Sequence, residues 1–517
     1  MDSVSEKPCE TFPLRMEKIM DRSSVIFGNI IDKKTLKKAA RQQKKFLKKF
    51  GDDRNTVYHL KAVDNEVLTP AFGAKVLVLS DEPMEKLPEK SVIIGNIRMG
   101  FGHYRISMAM ASAAHALGYT PLWLDLNSFP ETTGTKIIAY QNKLYSMASR
   151  LSQKSKLFNK LFWDPLNTEG FKRLTYNAGD QKTAELMTPV LNDLARETPY
   201  IATHVWPSQA AVHAGFRRVV NAIPDNWAMA LHLSEGALHL VQTPSTYLSY
   251  RTLKGFAGDK ILNPMSEKDI CYAGHYMDDE LVKNIEEDCK KRLNRISSKK
   301  PLRFLLTIGG AGAQGDYFAS LIKTLLPYIK EKKAALYLNI GDYENVWDFF
   351  KSKIKGIEEI SHIHFNDWSY TKNFAENALN DENCTSEESF NLHVFCHKDI
   401  FAAVYATNLL MRASDCLITK PSELAFYPVP KLMIAHVGGH ECWGAIRAAE
   451  VGDGTPEAPN LDWANFMLKS FVESPDLLEK MNHAIIANKR AGIYNGSYHA
   501  VEKAVGLEQS AFAWAGE

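Results

Sequence analysis

Few of the features that narrow function quickly are present in this chain. Its 62 basic and 60 acidic residues leave a net charge of only +2 across 517 residues, which argues against wholesale nucleic-acid binding and makes local charge the informative quantity. The seven cysteines (Cys9, Cys271, Cys289, Cys384, Cys396, Cys416 and Cys442) include no CxxC pair. Neither a disulfide framework nor a zinc knuckle is indicated, and a reducing cytosol fits. No run of about 18 apolar residues occurs, and the N-terminal MDSVSEKPCETF lacks the apolar core of a signal peptide. The expectation is a cytoplasmic protein that, if it meets a membrane, lies peripherally on the inner face. What is present is a globular composition, 45% hydrophobic and 24% charged. The chain is too long for one ordinary core, so two domains of roughly 200 residues plus extensions are expected.

The most informative stretch is SVIIGNIRMGFGHYRISMAMASAAHALGY, Ser91 to Tyr119. Val92, Ile93 and Ile94 read as a strand, Gly95, Gly100 and Gly102 as a loop, and the Ala- and Met-rich remainder as a helix. In such a unit the loop sits at the carboxyl end of a strand, and the first helical N–H groups face a crevice suited to a phosphate or other anion. His103 stands there. Its imidazole can take a proton from an acceptor hydroxyl, or it can hydrogen-bond a carbonyl and hold the turn.

Residues 1–74 read as an extension. Within it, Asp32 to Phe50 places Lys37, Lys38, Arg41, Lys44 and Lys45 among nine basic residues, with Leu36, Ala39, Ala40, Leu47 and Phe50 at helical spacing. This predicts a basic amphipathic helix. Anionic headgroups would attract it by about 1 kcal/mol per lysine near the surface, and packing of the narrow apolar edge on the body is an equally good account. From 75 to 290 strands alternate with helices, which implies a parallel sheet covered on both faces. Within that span, Lys136 to Leu166 mixes lysines with Phe158, Phe162 and Trp163, residues able either to touch a membrane or to pack in a core. Asp225 follows an apolar run after Pro224. It can orient His103 or assist proton removal, or it can serve as ordinary turn chemistry.

Glu286 to Lys300 is polar and reads as the linker. The pattern then restarts with PLRFLLTIGGAGAQGDYFASLIKTLLPYI, in which Gly309, Gly310 and Gly312 form a second glycine loop. Two such units predict an α/β chain of two facing, doubly wound Rossmann-like domains, the second spanning 301–485. The spacing departs from GxGxxG, so no nicotinamide-cofactor fingerprint is read. The acidic ENALNDENCTSEESFN reads as a surface insertion, and residues 486–517 as a helix crossing back to the first domain. Near the end, Ser422 and Glu423 follow Pro421, where Ser can cap a helix and Glu can hold the two hydroxyls of a ribose. Gly438, Gly439, His440 and Glu441 precede another helix and can address sugar hydroxyls.

The segment LITKPSELAFYPVPKLMIAHVGGHECWGA resembles the donor-binding segment of GT-B glycosyltransferases. It resembles in particular the branch of monogalactosyldiacylglycerol synthases, processive diacylglycerol glucosyltransferases and the lipid II N-acetylglucosaminyltransferase (family 28-like). Glu441 lies eighteen positions after Glu423, as that arrangement requires. GFGHYRISMAMASAAHALGY and IGGAGAQ look like the two glycine loops of the same family, and the motifs are scattered over most of residues 91 to 485. The resemblance implies His103 as general base near the acceptor hydroxyl, with Asp225 as a looser match. It implies Gly309, Gly310 and Gly312 at the donor diphosphate, Glu423 on the ribose, and Gly439, His440 and Glu441 at donor sugar or phosphate. One departure is that only Pro421 and Ser422 separate Lys420 from Glu423, where the family has a longer glycine-rich loop. That removes backbone donors and leaves nucleotide and sugar open.

Sugar transfer from a nucleotide sugar needs a stabilised leaving diphosphate and an activated acceptor oxygen. Helix N-termini and Lys420 serve the first need, a histidine near neutral pKa the second. The family implies an inverting step. No DxD pair is well placed, so no metal or cofactor is expected beyond a UDP-sugar co-substrate, with a lipid or other hydrophobic acceptor and an anionic membrane surface as partners. Two alternatives remain at this point: a non-hydrolysing UDP-sugar 2-epimerase and a catalytically inactive scaffold of the same fold.

Overall fold

Runs of apolar, largely β-branched residues set both sheets. The computed structural model describes residues 21–83, 86–163, 165–308, 314–380 and 391–506. In its first half β1 spans His59–Asp64, β2 Lys75–Ser80, β3 Ser91–Asn96, β4 Thr120–Asp125, β5 Tyr200–Ala202, β6 Val219–Ala222, β7 Leu238–Val241 and β8 Ile270–Tyr272. They form one sheet of order β8-β7-β6-β5-β3-β4-β2-β1, parallel except where β1 pairs antiparallel with β2. Every residue of β3 is buried, as a strand covered on both faces must be. β1 lies inside the expected extension. Only Leu60 of HLKAVD is fully buried, so this edge strand carries no continuous apolar run to announce it.

The second half repeats the design with β9 Leu302–Thr307, β10 Ala334–Asn339, β11 Ser361–Phe365, β12 Leu392–Cys396, β13 Cys416–Thr419 and β14 Lys431–Met433. Their order is β11-β12-β10-β9-β13-β14, parallel throughout. Two doubly wound Rossmann-like domains therefore face each other across a cleft, which is the GT-B arrangement.

Helices position the cleft. α1, Lys33–Phe50, starts at Asp32, whose carboxylate accepts from the Thr35 N–H at 2.9 Å, and it stops at Gly51. Its Ala39 and Phe46 are buried, and Phe46 packs with Ile137 and Leu186. α2, Gly102–Ala116, is buried continuously from Tyr104 to Ala114 because it lies between its own sheet and the other domain. α3 covers Thr133–Lys154, α4 Leu174–Ala184 and α5 Val205–His213.

The polar stretch expected to be a linker is instead α6, Ile285–Ser297. Three of its charged residues, Asp288, Arg292 and Arg295, are buried. Arg295 pairs with the buried Asp415 at 2.9 Å, and Arg292 donates to the Ser414 carbonyl at 2.8 Å. α7 is Gly315–Lys330, and α8, Ile400–Arg412, docks the second domain on α2, with Phe401 stacked 5.6 Å from Tyr104. After α9, Cys442–Glu450, and α10, Asp476–Arg490, the chain returns through α11, Gly496–Val505. There Ala500, Val501 and Ala504 join the core of the first domain. Residues 1–20, most of the acidic insertion (381–390) and 507–517 lie outside the described residues. Among the described residues no helix is long and apolar enough to cross a membrane.

Candidate functional site

The cleft between the halves encloses about 1220 Å³ and takes its walls from both. At its floor β3 ends, the backbone turns at Gly100 with φ +98°, a conformation that glycine adopts without strain, and α2 begins. His103 lies in the first turn of α2. Its Nδ1 lies 2.7 Å from the Thr203 carbonyl just after β5. A carbonyl only accepts, so Nδ1 carries the proton and Nε2 is left as the basic nitrogen. Burial pushes His103 below its ordinary pKa, against the upward pull of that carbonyl and of the Asp225 charge. The ring meets His204 edge-on at 4.8 Å. His204 caps α5 by accepting from the Trp206 N–H at 3.1 Å, and burial holds it well below its ordinary value, hence neutral.

Asp225 lines the same cleft, but it does not orient His103. Its Oδ2 accepts from His232 Nε2 at 2.9 Å. Burial raises the Asp225 pKa, yet that bond and the nearby His440 and His103 outweigh it and hold the carboxyl well below the usual carboxylate range.

The opposite wall comes from the second domain. Ser422 and Glu423 line it at the start of the one-turn helix Glu423–Phe426, and the Ser422 side chain makes no capping hydrogen bond there. Glu423 Oε1 accepts from Arg105 Nε at 3.3 Å. Arg105, 2% exposed, also donates to the Asn408 side chain at 2.7 Å and to the Val404 carbonyl at 3.3 Å. A Cβ added at Gly102 would lie 3.0 Å from Glu423 Oε2, so glycine there lets the carboxylate reach the loop of the first domain. His103 and Glu423 thus come from different halves into one cavity.

Lys420 pairs with Glu441, whose other oxygen accepts from the N–H groups of Val437 at 2.9 Å and Gly438 at 3.2 Å. Burial lowers the Lys420 pKa, but the Glu441 and Glu423 carboxylates more than reverse that, and the pair is ionised. Glu441 therefore braces its own loop and is not a free acceptor for sugar hydroxyls. His440 lines the cleft beside it, with Nδ1 buried and no hydrogen-bond partner among the described residues. Gly439 belongs to the same turn, Gly439–Glu441. Gly309, Gly310 and Gly312 lie outside the described residues, although Ile308 and Gln314 on either side line the cleft.

The residues expected at a membrane divide. Lys37 and Lys44 are exposed, Phe162 is 64% exposed, and Phe158 stacks on it at 5.7 Å. Lys38, Arg41 and Lys45 are exposed as well and also line the cleft. Trp163 is only 4% exposed, sits 4.9 Å from Tyr145 and also lines the cleft, so it is not an outward-facing aromatic; a mixed lysine-aromatic run does not disclose which ring turns inward.

Reasoning from residue types missed Arg105, His232 and Trp443, which stacks 5.1 Å from Trp227 across the halves. Arg105 had a usable signal, being the single permanently charged residue of a helix that is otherwise rich in Ala and Met. His232 had none, since nothing local links it to Asp225.

Residues 25–252 match a family described as a domain of unknown function, DUF6937, and residues 265–505 match a second, DUF6938. The second match includes β8, which closes the sheet of the first half. No curated protein matches the sequence. Among solved structures, UDP-GlcNAc 2-epimerase from Neisseria meningitidis bound to UDP-GlcNAc is 13% identical over 80% of this chain and 99% of its own, with a TM-score of 0.41. An alpha,alpha-trehalose 6-phosphate synthase from Burkholderia multivorans is 11% identical over 81% and 99%, at 0.38. A glycosyltransferase from Rickettsia africae is 11% identical over 81% and 100%, at 0.36. At these identities and scores the likenesses carry nothing about reaction or substrate.

Proposed function

We propose that the protein transfers a sugar from a UDP-sugar to a lipid or other hydrophobic acceptor at the inner face of a membrane, with inversion and without a metal. This is the chemistry of the diacylglycerol glycosyltransferase and lipid II branch that its motifs resemble. The supporting observation is that His103 from one half and Glu423 from the other line a single cleft.

In this reading the acceptor hydroxyl gives its proton to His103 Nε2 as its oxygen bonds to the anomeric carbon. The bond from that carbon to the diphosphate breaks, and UDP leaves with the electron pair. The Thr203 carbonyl on Nδ1–H and the anionic Asp225 nearby stabilise the imidazolium as it forms. Asp225, held by His232, acts through this field and not by contact. Glu423 takes the ribose hydroxyls, and the hydrogen bond from Arg105 aims its carboxylate. The 309–312 loop and Lys420 take the diphosphate, with Glu441 fixing the ammonium. His440, with its unpartnered Nδ1, faces the donor sugar.

Incubation with a panel of UDP-sugars and extracted lipid, in the presence of a chelator, is the test. The expected result is acceptor-dependent release of UDP together with a heavier glycolipid. Inertness toward the whole panel would overturn the reading, and interconversion of a UDP-sugar without acceptor would replace it with an epimerase.

A further inference from the structure

Arg105 meets Glu423 through one corner of its guanidinium and is held by the others. Its Nε donates to Glu423 Oε1 at 3.3 Å, while its Nη1 is taken by α8 of the second half, donating to Asn408 Oδ1 at 2.7 Å and to the Val404 carbonyl at 3.3 Å. Val404 and Asn408 stand four positions apart in α8, on one face of the helix, and together form a seat for the guanidinium. Asn408 is itself held from behind, because its Nδ2 donates to Asp278 Oδ2 at 2.7 Å. A guanidinium only donates, so the carbonyl end of the Asn408 amide must face it and the NH2 end falls to Asp278. Asp278 stands at the N-terminal boundary of the short helix Asp279–Lys283 yet makes no capping hydrogen bond there; its side chain serves Asn408 and not its own helix.

Asn408 and Asp278 are 3% and 1% exposed, and neither lines the cleft that Arg105 and Glu423 line. They reach a bound nucleotide only through Arg105. Their surroundings are apolar: Val404 and Tyr405 of α8 belong to one core with Tyr104, Ile106 and Met108 of α2. An apolar pair would seat α8 on α2 at least as well, because buried charges return little net stability even when paired. What an apolar pair would not supply is a fixed rotamer for a long, flexible guanidinium side chain, set against a carboxylate from the other half.

We propose that Asn408 and Asp278 are positioning residues of the nucleotide site: they fix the Arg105 guanidinium in the pose that aims Glu423, and thereby set how strongly the site reads the ribose hydroxyls. The relay runs from Asp278 through Asn408 and Arg105 to Glu423. It starts on the segment between β8 and α6, which carries the chain from one sheet to the other, so the grip on the ribose depends on how the halves are joined. A carboxylate held in place rejects a ligand that lacks the matching hydroxyls, because it is then left unpaired, whereas a carboxylate free to turn away discriminates less. This rests on the reading of the cleft as a UDP-sugar site and adds what determines its choice of nucleotide.

The test uses the full chain, with UDP and 2′,3′-dideoxy-UDP as probes and isothermal titration as readout. Wild type is expected to bind UDP at least about tenfold more tightly than the dideoxy form. Asn408→Ala is expected to shrink that ratio by about fivefold or more through weaker UDP binding, with the Kd for 2′,3′-dideoxy-UDP within about twofold of wild type. Asp278→Ala, which leaves Asn408 beside Arg105, should shrink it in the same direction by about threefold or more. Asp278→Asn keeps an acceptor for the Asn408 amide and should retain the wild-type ratio. Parallel weakening of both nucleotides, which a merely structural role would give, an unchanged ratio in both alanine variants, or equal binding of the two nucleotides by wild type would overturn the proposal. Where Asn408→Ala does not fold, the Asp278 variants decide: the proposal stands only if alanine lowers the ratio and asparagine keeps it. Failure of wild type to bind UDP would instead overturn the transferase reading beneath it.

Discussion

At the scale of single residues, the tautomer of His103 is the controlling detail. The Thr203 carbonyl dictates that Nδ1 is protonated, and burial keeps the ring neutral, so Nε2 is a ready base around neutral pH. The charged form is the one that burial disfavours. Turnover should therefore persist below the ordinary histidine pKa of about 6.5 and fall only as pH drops through the lower folded value. His103→Ala should lower kcat by about 10²–10⁴-fold with the Kd for UDP little changed, whereas Glu423→Ala should chiefly weaken UDP. Steady-state kinetics and titration of both variants check this, and the reverse pattern would exchange the roles. The glycine loop and His103 were legible because small residues cluster there beside an imidazole. The partners were not. Arg105 and Glu423 are 318 positions apart in the chain, and no local pattern carries a contact of that range.

At the scale of elements, periodicity told where helices and buried strands form but not what they face. α1 was legible as a basic amphipathic helix, yet only its packing on Ile137 and Leu186 sets which cations turn toward the cleft. β1 is not legible in the sequence, because this edge strand buries only one residue in six. The sequence of α6 reads as a polar linker because buried arginines look like solvated ones in a sequence. Its true place makes a stability prediction. Arg295→Met removes the guanidinium from Asp415, a side chain with no exposure that also accepts from the Arg303 N–H at 2.8 Å. Leaving that charge buried should cost about 3–5 kcal/mol, seen as a lower urea midpoint at unchanged slope. A change within about 0.5 kcal/mol would mean α6 is peripheral to the fold.

At the scale of the whole molecule, two sheets built by the same strand-loop-helix grammar meet face to face, and their carboxyl ends deliver loops from both halves into one cavity. The two-domain α/β architecture was legible from the repeated glycine loop. The closeness of the halves was not, because it depends on α8 seating on α2 and on α11 returning to the first core. That seating brings Glu423 against Gly102 and Arg105, so the donor-side carboxylate is positioned by the acceptor-side domain. The central claim is that this shared cleft is a nucleotide-sugar site. A crystal structure of the complex with UDP tests it most directly. The account predicts the ribose hydroxyls within hydrogen-bonding distance of the Glu423 carboxylate and the diphosphate against residues 309–312 and Lys420. UDP bound elsewhere, or a cleft left without nucleotide at saturating concentration, would contradict it.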